Sequence, residues 1–308
     1  MSFTVLNLSE NQADCFLIIL ENSAKEQVTI LVDGNKENSD YQKVQKSIDN
    51  ACKKLDFIVV SHVDDDHLGG IIKMLEDDNW KSAKDCKILY NHVAKGTVNY
   101  EQARIFEELI EGRTIISSYA DDYPGDCGFL EILSETDRKL CREIEKNKNA
   151  KAYLTLIKPE NFSMDKVRAD CKRVLAHEKK ANAKLINRNS LVFLLEFEGK
   201  SAIFTGDANW KQIEKKLGKI LPPNYIMNMI KIPHHGAMAE NMELTTYANT
   251  HGTKYFLVTG KEQWDNSHPN KKMIIDISQK CPEAEIYTLV EGLPGKNIRV
   301  EKGCNIEK

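Results

Sequence analysis

Two histidines fence three consecutive aspartates in His62-Val63-Asp64-Asp65-Asp66-His67, directly after the apolar run DFIVV and before GGIIKML. Adjacent carboxylates repel one another and resist burial unless something positive neutralises them. A divalent cation does that, and mixed imidazole and carboxylate donors suit Zn²⁺, Mn²⁺ or Fe²⁺. At alternate positions, His62 and Asp64 are placed to reach one ion, and Asp66 and His67 a neighbouring one. A solvated acidic loop opening a helix is the plainer reading of this stretch alone, because acids favour helix N-termini. Three further stretches weigh against it. FTGDA puts Asp207 at a strand tip beside Gly206, where a carboxylate can bridge two ions. IKIPHHGA ends another strand on His234 and His235, and NSHPN sets His268 before a proline ahead of a helix. Each is weak by itself. Pooled, they fill two metal sites around a shared carboxylate and leave room for water. Such an ion pair generates hydroxide at neutral pH and clamps an anionic transition state.

These residues need strand ends to converge. FTVLNL, DCFLIIL and VTILVD read as short strands separated by polar turns. SDYQKVQKSIDNACKKL spaces Val44, Ile48, Cys52 and Leu55 as one helix face, with Ser39 as its N-cap. DFIVV is a buried strand, Gly69 and Gly70 ease a tight turn, and a helix follows. The middle of the chain, roughly 91–185, is rich in charge and helix: YEQARIFEELIEG and SETDRKLCREIEKN have helical patterns, DDYPGDCG is a loop, and AYLTLIKP is a strand. The last third returns to strands in SLVFLLEF, SAIFTGD, NMIKIPHHG, KYFLVTG, AEIYTLV and NIRV, with helices near Trp210–Leu217 and Met273–Cys281. No repeat or linker divides the chain. The expectation is one layered α/β domain over 1–308, two sheets between outer helices, with a helix-rich elaboration at 91–185.

The bulk numbers set limits. With 308 residues and 41% hydrophobic content, the chain can bury a large core. A net charge of -3 gives no global basic field for nucleic acid. The apolar runs are strand-length, far short of a membrane span, so no membrane role is expected. The N-terminal residues do not read as a secretory signal. Eight cysteines without a CxxC spacing read as reduced structural thiols, and a cytoplasmic location is expected.

The combination of SHVDDDHLGG, NRNSLVFLLEF, FTGDA, KIPHHGA and SHP resembles the metallo-β-lactamase fold superfamily, most closely the metallo-β-lactamase domain of ComEC-type DNA-uptake proteins. The superfamily's usual HxHxDH appears here as HxDxDH, with Asp64 in place of the second histidine; related phosphorylcholine esterases share that variant. The resemblance implies a four-layer αββα sandwich. It implies two divalent ions, Zn²⁺ by default with Mn²⁺ as the alternative that Asp64 favours. It implies His62, Asp64 and a histidine of HHG on the first ion, Asp66, His67 and His268 on the second, and Asp207 between them. His235 is the preferred HHG ligand and His234 the group facing substrate, with the reverse order open. Asp66, His234 and Asp207 are the implied catalytic groups. Asp33 would support the metal site by hydrogen bonds, and Asn187 and Ser190 stand where the usual third-motif histidine is absent.

The implied chemistry is hydrolysis, first of phosphodiesters in DNA or another nucleic acid. The basic stretch Lys166–Arg188, with eight Lys or Arg against two acids, leads into Asn187 and Ser190. The alternatives are a hydrolase of a small ester, lactone or phosphodiester metabolite, and a metal-binding accessory module working through a partner. An accessory role with a defence or DNA-processing system also follows from the resemblance. Asp65 is expected to bind neither ion.

Overall fold

The computed structural model describes residues 1–10, 13–90, 101–116, 141–147, 150–158, 161–178, 182–238, 241, 243–260 and 268–307. Apolar runs open the chain as β1 (Ser2–Asn7), β2 (Phe16–Glu21) and β3 (Gln27–Val32), joined antiparallel. Helices then carry the chain across the sheet face. α1 (Tyr41–Ala51) precedes β4 (Phe57–Val60), α2 (Asp65–Glu76) precedes β5 (Lys87–Tyr90), and α3 (Glu101–Leu109) precedes β6 (Ile115–Ile116). From β3 to β6 the strands run parallel.

The second half repeats this plan. β7 (Cys141–Asn147) and β8 (Ala150–Lys158) lead through α4 (Asn161–Leu175) and α5 (Ala183–Arg188) to β9 (Val192–Phe197) and β10 (Lys200–Phe204), all four strands antiparallel. Helices and parallel strands follow: α6 (Trp210–Ile220), β11 (Met229–Lys231), α7 (Leu244–Thr250), β12 (Tyr255–Leu257), α8 (Lys271–Lys280), β13 (Glu285–Thr288) and β14 (Ile298–Val300). β15 (Gly303–Asn305) crosses back to pair with β1. The sheet orders are β15-β1-β2-β3-β4-β5-β6 and β14-β13-β12-β11-β10-β9-β8-β7.

Three apolar layers separate four layers of structure. Val44, Ile48, Ile71 and Phe106 pack on Leu17, Leu31 and Ile58. Between the sheets, Phe16 and Phe193 stack on Phe204 at 5.3 and 5.0 Å, beside Val5, Ile30 and Met229. On the far side Trp210, Ile213, Leu217 and Ile274 cover Ile203, Ile230 and Phe256. Each such side chain contributes about 1.5–3 kcal/mol by leaving water. This is the expected αββα sandwich. Cys15, Cys52, Cys86, Cys281 and Cys304 are free thiols, all buried. Among the described residues no helix is long and apolar enough to cross a membrane.

Several local expectations change. Asp40, not Ser39, caps α1, accepting from the Lys43 N–H at 3.0 Å. The stretch SETDRKLCREIEKN ends as strand β7, because β8 pairs with Cys141–Asn147 along its length; residues 134–140 lie outside the described set, as does DDYPGDCG. The middle segment therefore adds two strands to the second sheet as well as helices. Gly69 and Gly70 sit inside α2 rather than in a turn before it. What they permit is close approach: a Cβ on Gly70 would lie 1.7 Å from the Gly34 carbonyl oxygen, and one on Gly69 2.3 Å from the Glu37 nitrogen.

Candidate metal centre

The carboxyl ends of the parallel strands meet along one rim, the place where open α/β sheets build their sites. Asp33 follows the end of β3, Ser61 and His62 follow β4, and Asp207 and the His234–His235 pair come shortly after the ends of β10 and β11. Asp14 joins them because β2 is antiparallel to β3, with Phe16 opposite Val32. The two sheets are tied at this rim by the Leu191 N–H, which donates to the Ser61 carbonyl at 2.7 Å.

Asp33 is fully buried and organises the first sheet's share. Its Oδ1 accepts from the Ser61 N–H at 2.7 Å, and its Oδ2 accepts from the Ser61 hydroxyl at 2.7 Å and lies 2.8 Å from His67 Nδ1. The Nδ1 proton of His67 is thereby fixed and Nε2 turns inward. His62 is set by hydroxyls instead: Nδ1 lies 3.0 Å from Ser61 Oγ and 3.3 Å from Ser190 Oγ. Both hydroxyl protons are already committed, to Asp33 and to the Asn187 carbonyl, so His62 Nδ1 is the donor and Nε2 is bare. Ser190 Oγ also accepts from the Asp207 N–H at 3.1 Å.

Asp207 stands in the middle with its two oxygens facing different partners. Oδ1 lies 3.4 Å from His67 Nε2 and 3.7 Å from His235 Nε2. Asp66 closes that side, at 3.8 Å from His67 Nε2 and 3.6 Å from His235 Nε2. Oδ2 lies 3.4 Å from His234 Nε2, 4.0 Å from His62 Nε2 and 3.5 Å from Asn187 Nδ2. His268 packs against His234 with the rings tilted and their centroids 4.7 Å apart. His234 and His235 both have left-handed backbone, φ 49° and 46°, and this turns consecutive side chains to opposite sides of Asp207. Gly206, also at positive φ, lets Ser190 approach: a Cβ there would sit 2.8 Å from Ser190 Cβ.

The polar atoms aimed inward lack partners. His62 Nε2, His67 Nε2, His235 Nε2 and Asp207 Oδ1 are buried without a hydrogen bond. Donor separations of 3.4–3.8 Å are at or a few tenths of an ångström above the edge, about 3.3–3.4 Å, of a tetrahedron about a first-row cation bound at about 2.0–2.1 Å. His62, His67 and Asp207 form one group able to hold a metal ion, and Asp66, His67 and His235 form another. The residues fit divalent ions.

Their electrostatics agree. Burial alone would raise Asp66, but His67 and His235 bring it down to about 2. Burial likewise opposes Asp207, and the same two histidines hold it well below the carboxylate range. Against their own burial, His67 is carried well above the usual range by Asp207 and Asp33, and His235 up to about 9 by Asp14 and Asp207. His62 goes the other way, pushed down to about 3 by burial and the charge on His67.

Asp64 caps α2, accepting from the Asp65 N–H at 2.9 Å, and belongs to none of the ion-holding groups among the described residues. Burial and the charge of Asp66 raise its carboxyl. His268 also lies outside those groups, one ring beyond His234. Asp65 turns away, its Oδ1 accepting from the Glu37 N–H and from Gln102 Nε2. His235 groups with Asp66 and His67 rather than with His62 and Asp64. Two residues passed unnoticed in the sequence, Asp14 and Lys231. Lys231 carried a signal: a lysine between isoleucines in a buried parallel strand demands a buried counter-charge.

No protein-family model matches the chain, and no curated protein does. Solved structures do. The metallo-β-lactamase fold protein YhfI from Bacillus subtilis is 12% identical, with a TM-score of 0.52 over 99% of this chain and 100% of that one. A possible metal-dependent hydrolase from Veillonella parvula is 12% identical, TM-score 0.49, over 99% and 98%. An isothiocyanate hydrolase from Delia radicum gut bacteria is 12% identical, TM-score 0.47, over 95% and 97%. At such identity the first carries the fold alone, and the other two add nothing to it. The chain has the metallo-β-lactamase fold.

Proposed function

We propose that this protein is a metal-dependent hydrolase with a two-ion centre, and that its substrate is a phosphodiester of nucleic acid. The observation that carries the reading is Asp207, whose two oxygens face separate sets of imidazoles, among which the Nε2 atoms of His62, His67 and His235 are buried without a hydrogen bond. His67, His235 and Asp66 would hold one ion with Asp207 Oδ1. His62 would hold the other with Oδ2, and His234, with His268 beside it, stands on that side toward substrate. Bound divalent ions supply Lewis acidity, which eases deprotonation of water and stabilises a developing anion. The chain's own residues do the rest. Asp33, Ser61 and Ser190 orient the imidazoles, Asn187 holds Asp207 Oδ2, and His234, with 24% of its side chain exposed, is the histidine placed to meet substrate.

The phosphodiester assignment is supported by the approach to the site. Lys172, Lys184 and Arg188 are exposed, and α5, which carries two of them, also carries Asn187. Such charges favour a phosphate backbone. The likeness of the HxDxDH, TGD and HHG motifs to ComEC-type domains points the same way. The test is metal analysis of purified protein beside cleavage assays on single- and double-stranded DNA and RNA with Mn²⁺, Mg²⁺ and Zn²⁺. Metal-dependent cleavage lost in Asp66→Ala is expected. Unchanged cleavage in that variant refutes the two-ion reading, and turnover only of small esters or lactones refutes the substrate.

A further inference from the structure

Asp14 and Lys231 are both fully buried, and they come from opposite sheets: Asp14 precedes β2 and Lys231 ends β11. Lys231 Nζ lies 2.5 Å from Asp14 Oδ2. Taking both charges out of water costs several kcal/mol each, which their attraction recovers only with good geometry and further partners. Those partners are the supports of the metal centre. Lys231 Nζ also donates to the Gly206 carbonyl at 3.1 Å, directly before Asp207. Asp14 Oδ1 lies 2.8 Å from His235 Nδ1, which favours a proton there and leaves Nε2 for the centre. The Asp14 N–H donates to the Asp66 carbonyl at 3.0 Å. Its carboxylate is 3.8 Å from His67 Nδ1 as well. One residue therefore reaches all four groups on the Oδ1 side, three directly and Asp207 through Lys231. Asp14 falls within reach of two possible ion positions, with Asp33 and His67 and with Asp207 and His235, but an ammonium and an imidazole already face its oxygens, which makes it a poor ligand itself.

We propose that Asp14 and Lys231 form a cross-sheet positioning pair that sets His235 and the Gly206–Asp207 turn for metal binding at the Oδ1 side. The inference rests on the metal-centre reading above. A pair that only joined the sheets would serve as well if replaced by apolar residues of similar volume, since such replacements are often neutral or stabilising. A positioning pair would not.

The experiment compares wild type with Asp14→Leu/Lys231→Met and with Asp14→Asn. Thermal unfolding in chelator reads the fold. Competition with a chromophoric chelator reads Zn²⁺ affinity, and the visible spectrum of the Co²⁺-loaded protein reads coordination geometry. The expected result is a folded double variant with the tighter Zn²⁺ affinity reduced about 10–100-fold and an altered Co²⁺ spectrum. Asp14→Asn keeps the shape and loses the charge; it is expected to weaken the same ion in the same direction, which keeps the proposal testable if the double variant does not fold. Wild-type affinity and spectrum in a folded variant overturn the proposal and leave the metal centre standing. Failure of the wild type to bind Zn²⁺ or Co²⁺ overturns both.

Discussion

The two sides of Asp207 are built from the same residue types and braced differently. On the Oδ1 side, His67 and His235 are each backed at Nδ1 by a buried carboxylate, Asp33 and Asp14. On the Oδ2 side, His62 is backed by the hydroxyls of Ser61 and Ser190, and His234 is partly exposed. A carboxylate behind an imidazole makes it a stronger donor and keeps its proton until a cation displaces it. A hydroxyl does neither to the same degree. On the two-ion proposal, the Oδ1 side would be the retentive one, and the Oδ2 side the one where an ion exchanges and substrate enters. The difference comes from position: the charged braces Asp33 and Asp14 are fully buried, while Oδ2 faces Asn187 of α5 and the partly exposed His234.

The largest effect expected is from removing the group both sides share. Asp207→Ala should lower kcat/KM by at least about 10³-fold, roughly 4 kcal/mol of transition-state stabilisation. Metal content measured by plasma mass spectrometry should fall from two ions to one or none. Two retained ions would mean that Asp207 does not bridge.

Next come the sides taken singly. His67→Ala should empty the retentive side and cost most of the activity, whereas His62→Ala should leave one ion bound. Equilibrium dialysis at low metal concentration separates the cases. Equal losses in the two variants would remove the asymmetry.

Proton balance sharpens the comparison further. In metal-stripped protein Asp14 and Asp207, against the opposing effect of burial, push His235 up to about 9 from its ordinary 6.5. A raised folded value means that the protonated form is favoured by folding. Its contribution is fully present below pH 6.5 and is lost as pH rises toward 9. His67 shifts in the same direction, whereas His62, down at about 3, is neutral throughout that window. The melting temperature of chelated protein should therefore fall between pH 6.5 and 9, while that of the metal-loaded protein should stay nearly flat. Calorimetry in buffers of differing ionisation enthalpy should find proton release with the tighter ion only. Release with both ions would contradict the hydroxyl bracing of His62.

How much of this was legible in the sequence depended on how local the cause was. His62, Asp207 and the HHG pair fall just after strand ends, His67 lies in the first turn of the helix that follows β4, and an imidazole or carboxylate in that setting announces itself. Asp14 is only the first letter of the strand run DCFLIIL, and nothing local marks it, since only the pairing of Phe16 with Val32 and the packing of two sheets bring it to Lys231. β15 is too short to stand out, and its partner β1 lies at the other end of the chain. The sequence CREIEKN carries charge at helical spacing, and only the ladder with β8 makes it a strand. The fold was readable because its apolar runs are strong. The bracing was not, because buried ion pairs between distant segments leave no periodic trace.

The smallest effect expected divides a cap from a ligand. Asp64 accepts from the Asp65 N–H and opens α2, yet it lies close enough to Asp66, His67 and Asp207 to feel their charge. Asparagine is as good an N-cap as aspartate, and losing the cap altogether costs about 1 kcal/mol. If capping is its whole task, Asp64→Asn should melt within about 1 °C of wild type (a shift well under 1 kcal/mol) and keep both ions, while Asp64→Ala should lose stability alone. Loss of one ion in Asp64→Asn at unchanged stability would place Asp64 on the Oδ2 side instead. That side would then carry a carboxylate of its own, and the contrast between a charge-braced and a hydroxyl-braced side would become one between two charged sites of unequal burial.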